Sequence, residues 1–223
     1  MKRHGVSNLN EMNKALEIAS GEKKPKKSFK DYEPGFVHID IKYLPRMDDE
    51  SSRKYLFVAI DRATRWVYLE IFPDKTAASA QLFLERVVEK APFKITKLLT
   101  DNGKEFTDRF TPNGEREPTG NHDFDKACAT AGIEHRLIKP VHPQTNGMVE
   151  RFNGRISDIL KTTRFDSSEE LSMTLNRYMK IYNHHIPQKN IGHLTPIQKL
   201  KKWQNMKPDL FTKNVYDLTG SDK

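Results

Sequence analysis

Three acidic residues stand where a site built on a β-sheet would present them. Asp40 lies within FVHIDIKY, where Val37, Ile39, Ile41 and Tyr43 share one face of a strand and His38, Asp40 and Lys42 share the other. Asp101 closes the run KITKLLT and precedes Asn102-Gly103, so it falls at the carboxyl edge of a strand, where open α/β sheets bind ligands. Glu150 follows Val149, the first residue of an apolar helical stripe, and at the margin of that stripe it can point back toward the sheet. Carboxylate oxygens are hard ligands suited to magnesium or manganese. Two such ions about 3.5–4 Å apart clamp the attacking and leaving oxygens of a phosphodiester without a covalent enzyme intermediate. Taken singly, each acid has a plainer reading: Asp40 as a solvated strand residue, Asp101 as a turn former, Glu150 as favourable charge near a helix N-terminus.

The elements that must position these acids follow from periodicity. Three strand-like runs come first, FVHIDIKY, KYLFVAID and RWVYLEIF, the last two joined by the short turn Arg62-Ala63-Thr64, which predicts an antiparallel meander. The period then becomes helical through Ala80, Phe83, Leu84, Val87, Val88 and Ala91, with Pro92 as a stop. KITKLLT is a fourth strand, a short helix carries Cys128, and IEHRLI is a fifth strand. Beyond Thr145 the chain is helical: Val149, Phe152, Ile156, Ile159 and Leu160 form one stripe. Ser167 with Glu170 predicts a capping box, and Thr195-Pro196 opens a last helix through Trp203. The fold class is α/β, a mixed five-stranded sheet flanked by helices with a helical C-terminal tail. Residues 8–20 predict one further short helix, followed by a lysine-rich linker. The compact part begins near Pro34.

Charge and composition bound the function. Lys and Arg number 38 against 30 Asp and Glu, a formal charge of +8, and the sequence pI is near 9.4, which favours a polyanionic partner. The excess sits at the ends: +5 over residues 1–30, −3 over 31–138 and +6 over 139–223. The longest apolar run, Tyr55 to Ile60, is far too short to cross a bilayer. A single cysteine excludes an internal disulfide, fits a reducing compartment and leaves no basis for a thiolate zinc centre; neither His38 nor His142 has a partner at ligand spacing. Trp66 is expected to pack in the core.

The segments HIDIKYL, LLTDNGKEF and HPQTNGMVERFNGRI closely resemble the catalytic core shared by retroviral integrases and the insertion-sequence transposases built on it. DRATRWVYLEIFPDKTA and YNHHIPQKNIGHLTPIQKL resemble the bacterial transposases more than the viral enzymes, and the resemblance runs over about residues 35–203. It implies a ribonuclease H-like fold and a two-metal DDE site, with Asp40, Asp101 and Glu150 as the catalytic, metal-binding acids and two Mg2+ or Mn2+ ions as cofactor. It further implies that Asn102 and Gly103 shape the turn that aims Asp101, and that Gln144, Thr145 and Asn146 lie in a mobile segment near the DNA end. Amide side chains contact phosphate or base edges, although Thr145 or Asn146 serves equally as a helix N-cap. Gly147 is expected to relieve the backbone there. Arg151 and Arg155, four apart on the outer helix face, suit phosphate contact or a solvated face.

The resemblance implies metal-dependent cleavage and strand transfer at transposon ends, with DNA ends and target as partners, a homo-oligomer in the synaptic complex, no membrane, and a bacterial cytoplasmic, nucleoid-associated location. Two alternatives stand beside it: a non-catalytic DNA-binding remnant that competes with a full-length transposase, and a ribonuclease H-like nuclease that cuts without joining. Three departures from the family pattern matter. The segment between Asp101 and Glu150 is longer than in the viral cores, an excess that coincides with TPNGEREPTGNH and reads as a surface loop insertion. Ile186 stands where an arginine is often found. Related transposases carry a helix-turn-helix region before the core, and only KRHGVSNLNEMNKAL resembles its tail, so an N-terminally truncated chain is expected. The expected divisions are 1–33, a remnant of that region plus the basic linker; 34–165, the catalytic core; and 166–223, C-terminal helices and tail.

Overall fold

The computed structural model describes residues 32–112, 114–138 and 147–216. The helix expected over residues 8–20 and its linker lie outside these. The elements are β1 (Phe36–Tyr43), β2 (Tyr55–Asp61), β3 (Val67–Phe72), α1 (Ala77–Lys90), β4 (Lys97–Thr100), β5 (Phe110–Thr111) and β6 (Gly114–Glu115). They continue with α2 (Asp123–Thr130), β7 (Glu134–Leu137), α3 (Gly147–Thr162), α4 (Ser168–His185) and α5 (Pro196–Met206). The main sheet has the order β3-β2-β1-β4-β7. The meander β1-β2-β3 is antiparallel, and β4 and β7 add in parallel beside β1. This is the mixed five-stranded sheet that the periodicity predicts.

Both faces of the sheet are covered. On one, Val37, Ile39, Phe57, Ala59 and Leu98 meet Ala80, Phe83, Leu84 and Val87 of α1, with Phe124 and Cys128 of α2. On the other, Leu56, Val58 and Ile60 meet Val149, Phe152 and Ile156 of α3, with Leu171, Leu175 and Tyr182 of α4. Each fully buried side chain of this kind contributes roughly 1.5–3 kcal/mol, so the two helical layers fix which way each strand faces. Asp40 faces the α3 layer. Trp66 is buried against Phe93, as expected of a core aromatic.

Several boundaries differ from the periodicity, each for a local reason. β4 begins at Lys97 because the Lys94 N–H turns aside to the Leu210 carbonyl and the Thr96 N–H goes to Gly35. Gly35 has φ 112°, and a Cβ there would lie 2.4 Å from the Lys94 oxygen, so only glycine fits this crossing. TPNGEREPTGNH is not a plain loop: it contributes to the two-stranded ribbon β5-β6, and Asp108 ties down its return by accepting from Arg116 and Thr119. At α4 only half of the predicted box forms. Ser167 Oγ accepts from the Glu170 N–H at 3.2 Å, but the Glu170 carboxylate accepts from Asp166 instead. Thr195 and Gln198 form the complete reciprocal box at α5, which extends to Met206.

Edge strand β3 is closed by a side chain. Asn183 of α4 donates to the Val67 carbonyl at 2.7 Å and accepts from the Val67 N–H at 2.9 Å, taking the place of a neighbouring strand. Where β2 turns into β3, Asp61 is fully buried and its carboxylate accepts four bonds, from the N–H groups of Gly35, Ala63 and Thr64 and the Thr64 hydroxyl. Burial pushes its pKa up while these donors pull it down. Asp61→Asn would set an amide N–H2 against donors and leave part of the cluster unsatisfied. The expected loss is about 3 kcal/mol, read as a lowered urea midpoint with an unchanged slope; a midpoint within error of wild type would show that this clasp does not hold the meander.

Candidate active site

Register sets the site. In the parallel pair, Phe36 lies opposite Lys97, Val37 opposite Leu98 and His38 opposite Leu99. Two residues further along the same register, Asp40 is level with Asp101, on the same face of strands spaced about 4.8 Å apart. The electrostatics agree with that placement. The Asp40 carboxyl is pushed up to about 6, first by burial and then by the charge of Asp101; a backbone bond at Ile41 and the Asn153 amide oppose the rise, and Glu150 adds to it.

Each acid has its own support. Asn153 Nδ2 donates to Asp40 Oδ2 at 2.7 Å. The Gly103 N–H donates to Asp101 Oδ1 at 2.9 Å, aiming the carboxylate. A Cβ at Gly103 would meet the Glu105 carboxylate at 2.6 Å, so a side chain there would require that carboxylate to move. Asn102 Nδ2 donates to the Ile138 carbonyl at 2.9 Å and so ties this turn to the end of β7, while its Oδ1 is buried without a partner among the described residues. Behind the strand end, Thr100 Oγ1 and His135 Nε2 are 2.9 Å apart and His135 Nδ1 meets Asp125, with the imidazole held toward its neutral form by burial.

Helix α3 brings the third acid. Glu150 is exposed on its first turn. Asn153 and Ser157 follow at helical spacing on the same flank, one touching Asp40 and the other accepting from Lys42 Nζ at 2.7 Å. Among the described residues, no three His, Cys, Asp or Glu side chains are gathered tightly enough to enclose an ion. Asp40 and Asp101 form the inner pair, and Glu150 stands at the margin. Lys75, from the loop between β3 and α1, reaches the same edge: it pairs with the buried Glu105 at 3.7 Å and lies over the Tyr43 ring. The Tyr43 hydroxyl, Glu105 and Asp101 all raise its pKa.

The remaining predicted residues separate. Gln144, Thr145 and Asn146 lie outside the described residues. Arg151 and Arg155 occupy the opposite flank of α3 from Glu150, with the Arg155 guanidinium 5.6 Å from the Tyr182 ring. Gly147 is the first residue of α3 and has open space where a Cβ would stand, so the structure does not require glycine there. Sequence reasoning missed Asn153, Lys75 and Glu105, and placed Lys42 on the face of Asp40 without giving it a role. Asn153 and Ser157 were within reach of a helical wheel, because they share the flank of Glu150. Lys75 and Glu105 carry no periodic signal.

Comparison with known proteins bears on this arrangement. An integrase core domain family model matches residues 32–143, half of the chain, and a second integrase core domain model matches residues 131–196. The chain is 29% identical over 128 residues to "Retrovirus-related Pol polyprotein from transposon TNT 1-94" of Nicotiana tabacum, covering 56% of this chain and 9% of that protein. It is 25% identical over 194 residues to "Putative integrase ORF3" of Spiroplasma virus SpV1-C74, covering 83% of this chain and 53% of that one. The chain thus spans about half the length or less of these relatives. The catalytic core domain of BIV integrase superposes with a TM-score of 0.55 at 18% identity, covering 78% of this chain and 98% of that domain, which shows a shared fold. With its sheet order, its level pair of aspartates and these matches, the chain belongs to the integrase core domain family.

Proposed function

We propose that this chain is the catalytic core of a DNA transposase or integrase, which cleaves a phosphodiester at an element's end and joins the exposed 3′ hydroxyl to target DNA. The observation that carries the reading is the level pair Asp40 and Asp101, with Glu150 close enough to raise the pKa of Asp40. The all-oxygen donor set fits Mg2+ or Mn2+, and a dication would offset both causes of the upward shift of Asp40, its burial first and then the neighbouring charges of Asp101 and Glu150. Asp40, Asp101 and Glu150 would hold the ions. When bound, two such ions would activate the attacking oxygen and stabilise the leaving one.

The chain's own residues position and neutralise. Asn153 and the Gly103 N–H hold the two aspartates in place, and Lys42 and Lys75 add positive charge on the same edge, where the backbone of a bound strand would lie. Asn102 and the Gln144-Thr145-Asn146 segment are proposed to lie along the DNA end. Synapsis of two ends makes a homo-oligomer the expected working form.

On an end-mimicking duplex with magnesium, Asp40→Asn, Asp101→Asn and Glu150→Gln are each expected to reduce strand transfer at least about a hundredfold. Retained joining in Asp40→Asn or Asp101→Asn would remove the assignment. Cleavage without joining by the wild type would favour a nuclease, and a gel shift alone would favour a binding module.

Asp40 also predicts a pH dependence. Its folded pKa of about 6 lies above the ordinary carboxylate value, so the metal-free fold loses stability as pH rises from about 4 through 6. Asp40→Asn, which still accepts from Asn153, should be more stable than wild type at pH 8 by about 1–3 kcal/mol, read as a raised melting temperature, and the gain should vanish near pH 4. Magnesium should stabilise the wild type at pH 8, progressively less below pH 6, and the variant little at any pH. Equal melting of the two proteins at pH 8 without metal would show that Asp40 is not strained by its neighbours.

A further inference from the structure

Across α3 from the carboxylates lies a second concavity of about 280 Å³. Four cationic side chains from three separated segments line it: Arg65 from the turn between β2 and β3, Arg151 and Arg155 from α3, and Lys189 from the 3-10 turn after α4. Its polar and aromatic lining includes Tyr182 and Gln188, and among the described residues no carboxylate lines it. Among the described residues, none of the four cations is ion-paired within the protein.

Arg65 makes the arrangement costly. It is 9% exposed, and its backbone adopts φ 64°, a left-handed conformation that disfavours side chains other than glycine. Its Nη1 donates to the Arg62 carbonyl at 2.8 Å, which orients the guanidinium without neutralising it. Burial lowers its pKa, with the charges of Arg62 and Arg151 adding to the effect, while Tyr182 and the buried Asp61 carboxylate oppose it without reversing it. Tyr182 cannot serve as counter-ion: burial raises its hydroxyl to about 12, so it stays neutral and offers a ring face to Arg155. A guanidinium keeps its proton under all ordinary conditions. Arg65 is buried, Arg155 half-buried, and Arg151 and Lys189 exposed at the rim; like charges gathered in this way repel one another, and an external anion removes that repulsion.

We infer that this pocket is a phosphate subsite for a nucleic-acid backbone, holding a phosphodiester other than the one undergoing reaction. Helix geometry supplies the second half of the inference. Arg151 and Arg155 lie roughly 140° around α3 from the flank of Glu150, Asn153 and Ser157, so one helix about 10 Å across separates the pocket from the acids. A phosphate held here therefore belongs to a neighbouring stretch of the bound strand, or to a second segment crossing the same helix. The geometry of the donors suits it: guanidinium groups bind phosphate oxygens in paired fashion, and Lys189 adds a mobile point charge at the rim.

The inference rests on the DNA-acting reading above, and its test keeps the two apart. Arg151 and Lys189 are both exposed, so Arg151→Gln and Lys189→Gln should fold normally, as melting curves will verify. Duplex affinity of the full chain is measured against salt concentration by fluorescence anisotropy, beside strand transfer. Each substitution should lower the slope of log affinity against log salt by about 0.9, the loss of one phosphate contact. Lys126→Gln, on α2 and already ion-paired with Asp123, should leave the slope unchanged. Slopes equal to wild type in both pocket variants would overturn the subsite while leaving strand transfer standing. Reduced slopes in the two pocket variants, beside a wild type that binds but never joins DNA, would keep the subsite and overturn the catalytic reading. Inorganic phosphate that saturates the pocket, seen as a melting shift lost in Arg151→Gln, without displacing duplex would overturn the nucleic-acid assignment in favour of free phosphate.

Discussion

Neighbouring parallel strands run about 4.8 Å apart, and side chains level with one another on one face cannot avoid each other. In this protein the residues so placed are Asp40 and Asp101, and the repulsion between them is built in before any partner arrives. The surrounding structure absorbs it. The Gly103 N–H stabilises one charge, Asn153 and the backbone at Ile41 stabilise the other, and Lys75 approaches from the loop after β3. Two covered sheet faces and the Asp61 clasp keep the register from slipping. A slip by one residue would send Asp40 to the opposite face.

Helix α3 then divides the molecule's charge. Its buried stripe, Val149, Phe152 and Ile156, locks it to the sheet, leaving two flanks of opposite character. One flank carries Glu150 and the amide that steadies Asp40; the other carries the arginines that converge with Arg65 and Lys189. The split of charge along the sequence does not show this: Glu150, Arg151, Arg155 and Lys189 all fall in the basic stretch 139–223, and Arg65 in the acidic middle.

What could be read in advance follows from periodicity. The parity of Asp40, the position of Asp101 at a strand end and the margin position of Glu150 all derive from repeats of two or 3.6 residues, and the structure keeps them. Pairing register carries no such signal, so the level placement of the two aspartates needed the resemblance or the coordinates. The pocket was less accessible still. Arg65 opens the strand-like run RWVYLEIF and Lys189 carries no periodic signal, and only folding brings them to Arg151 and Arg155. The half-formed box at Ser167 shows the same boundary: the spacing was right, but the acid had a nearer donor at Asp166.

The ribbon β5-β6 bears on how such a core tolerates change. Its return strand is fastened to Asp108, whose carboxyl is held down to about 2 by the Thr119 side chain and N–H, with Arg116 adding to the effect. The fastening lies between the tip of the ribbon and the turn that aims Asp101. Length added beyond Asp108 closes upon itself there, and its entropy of closure is not transmitted to the strand end. The number of residues separating the second acid from the third is therefore decoupled from their separation in space, leaving evolution free to lengthen this excursion while the reacting geometry stays put.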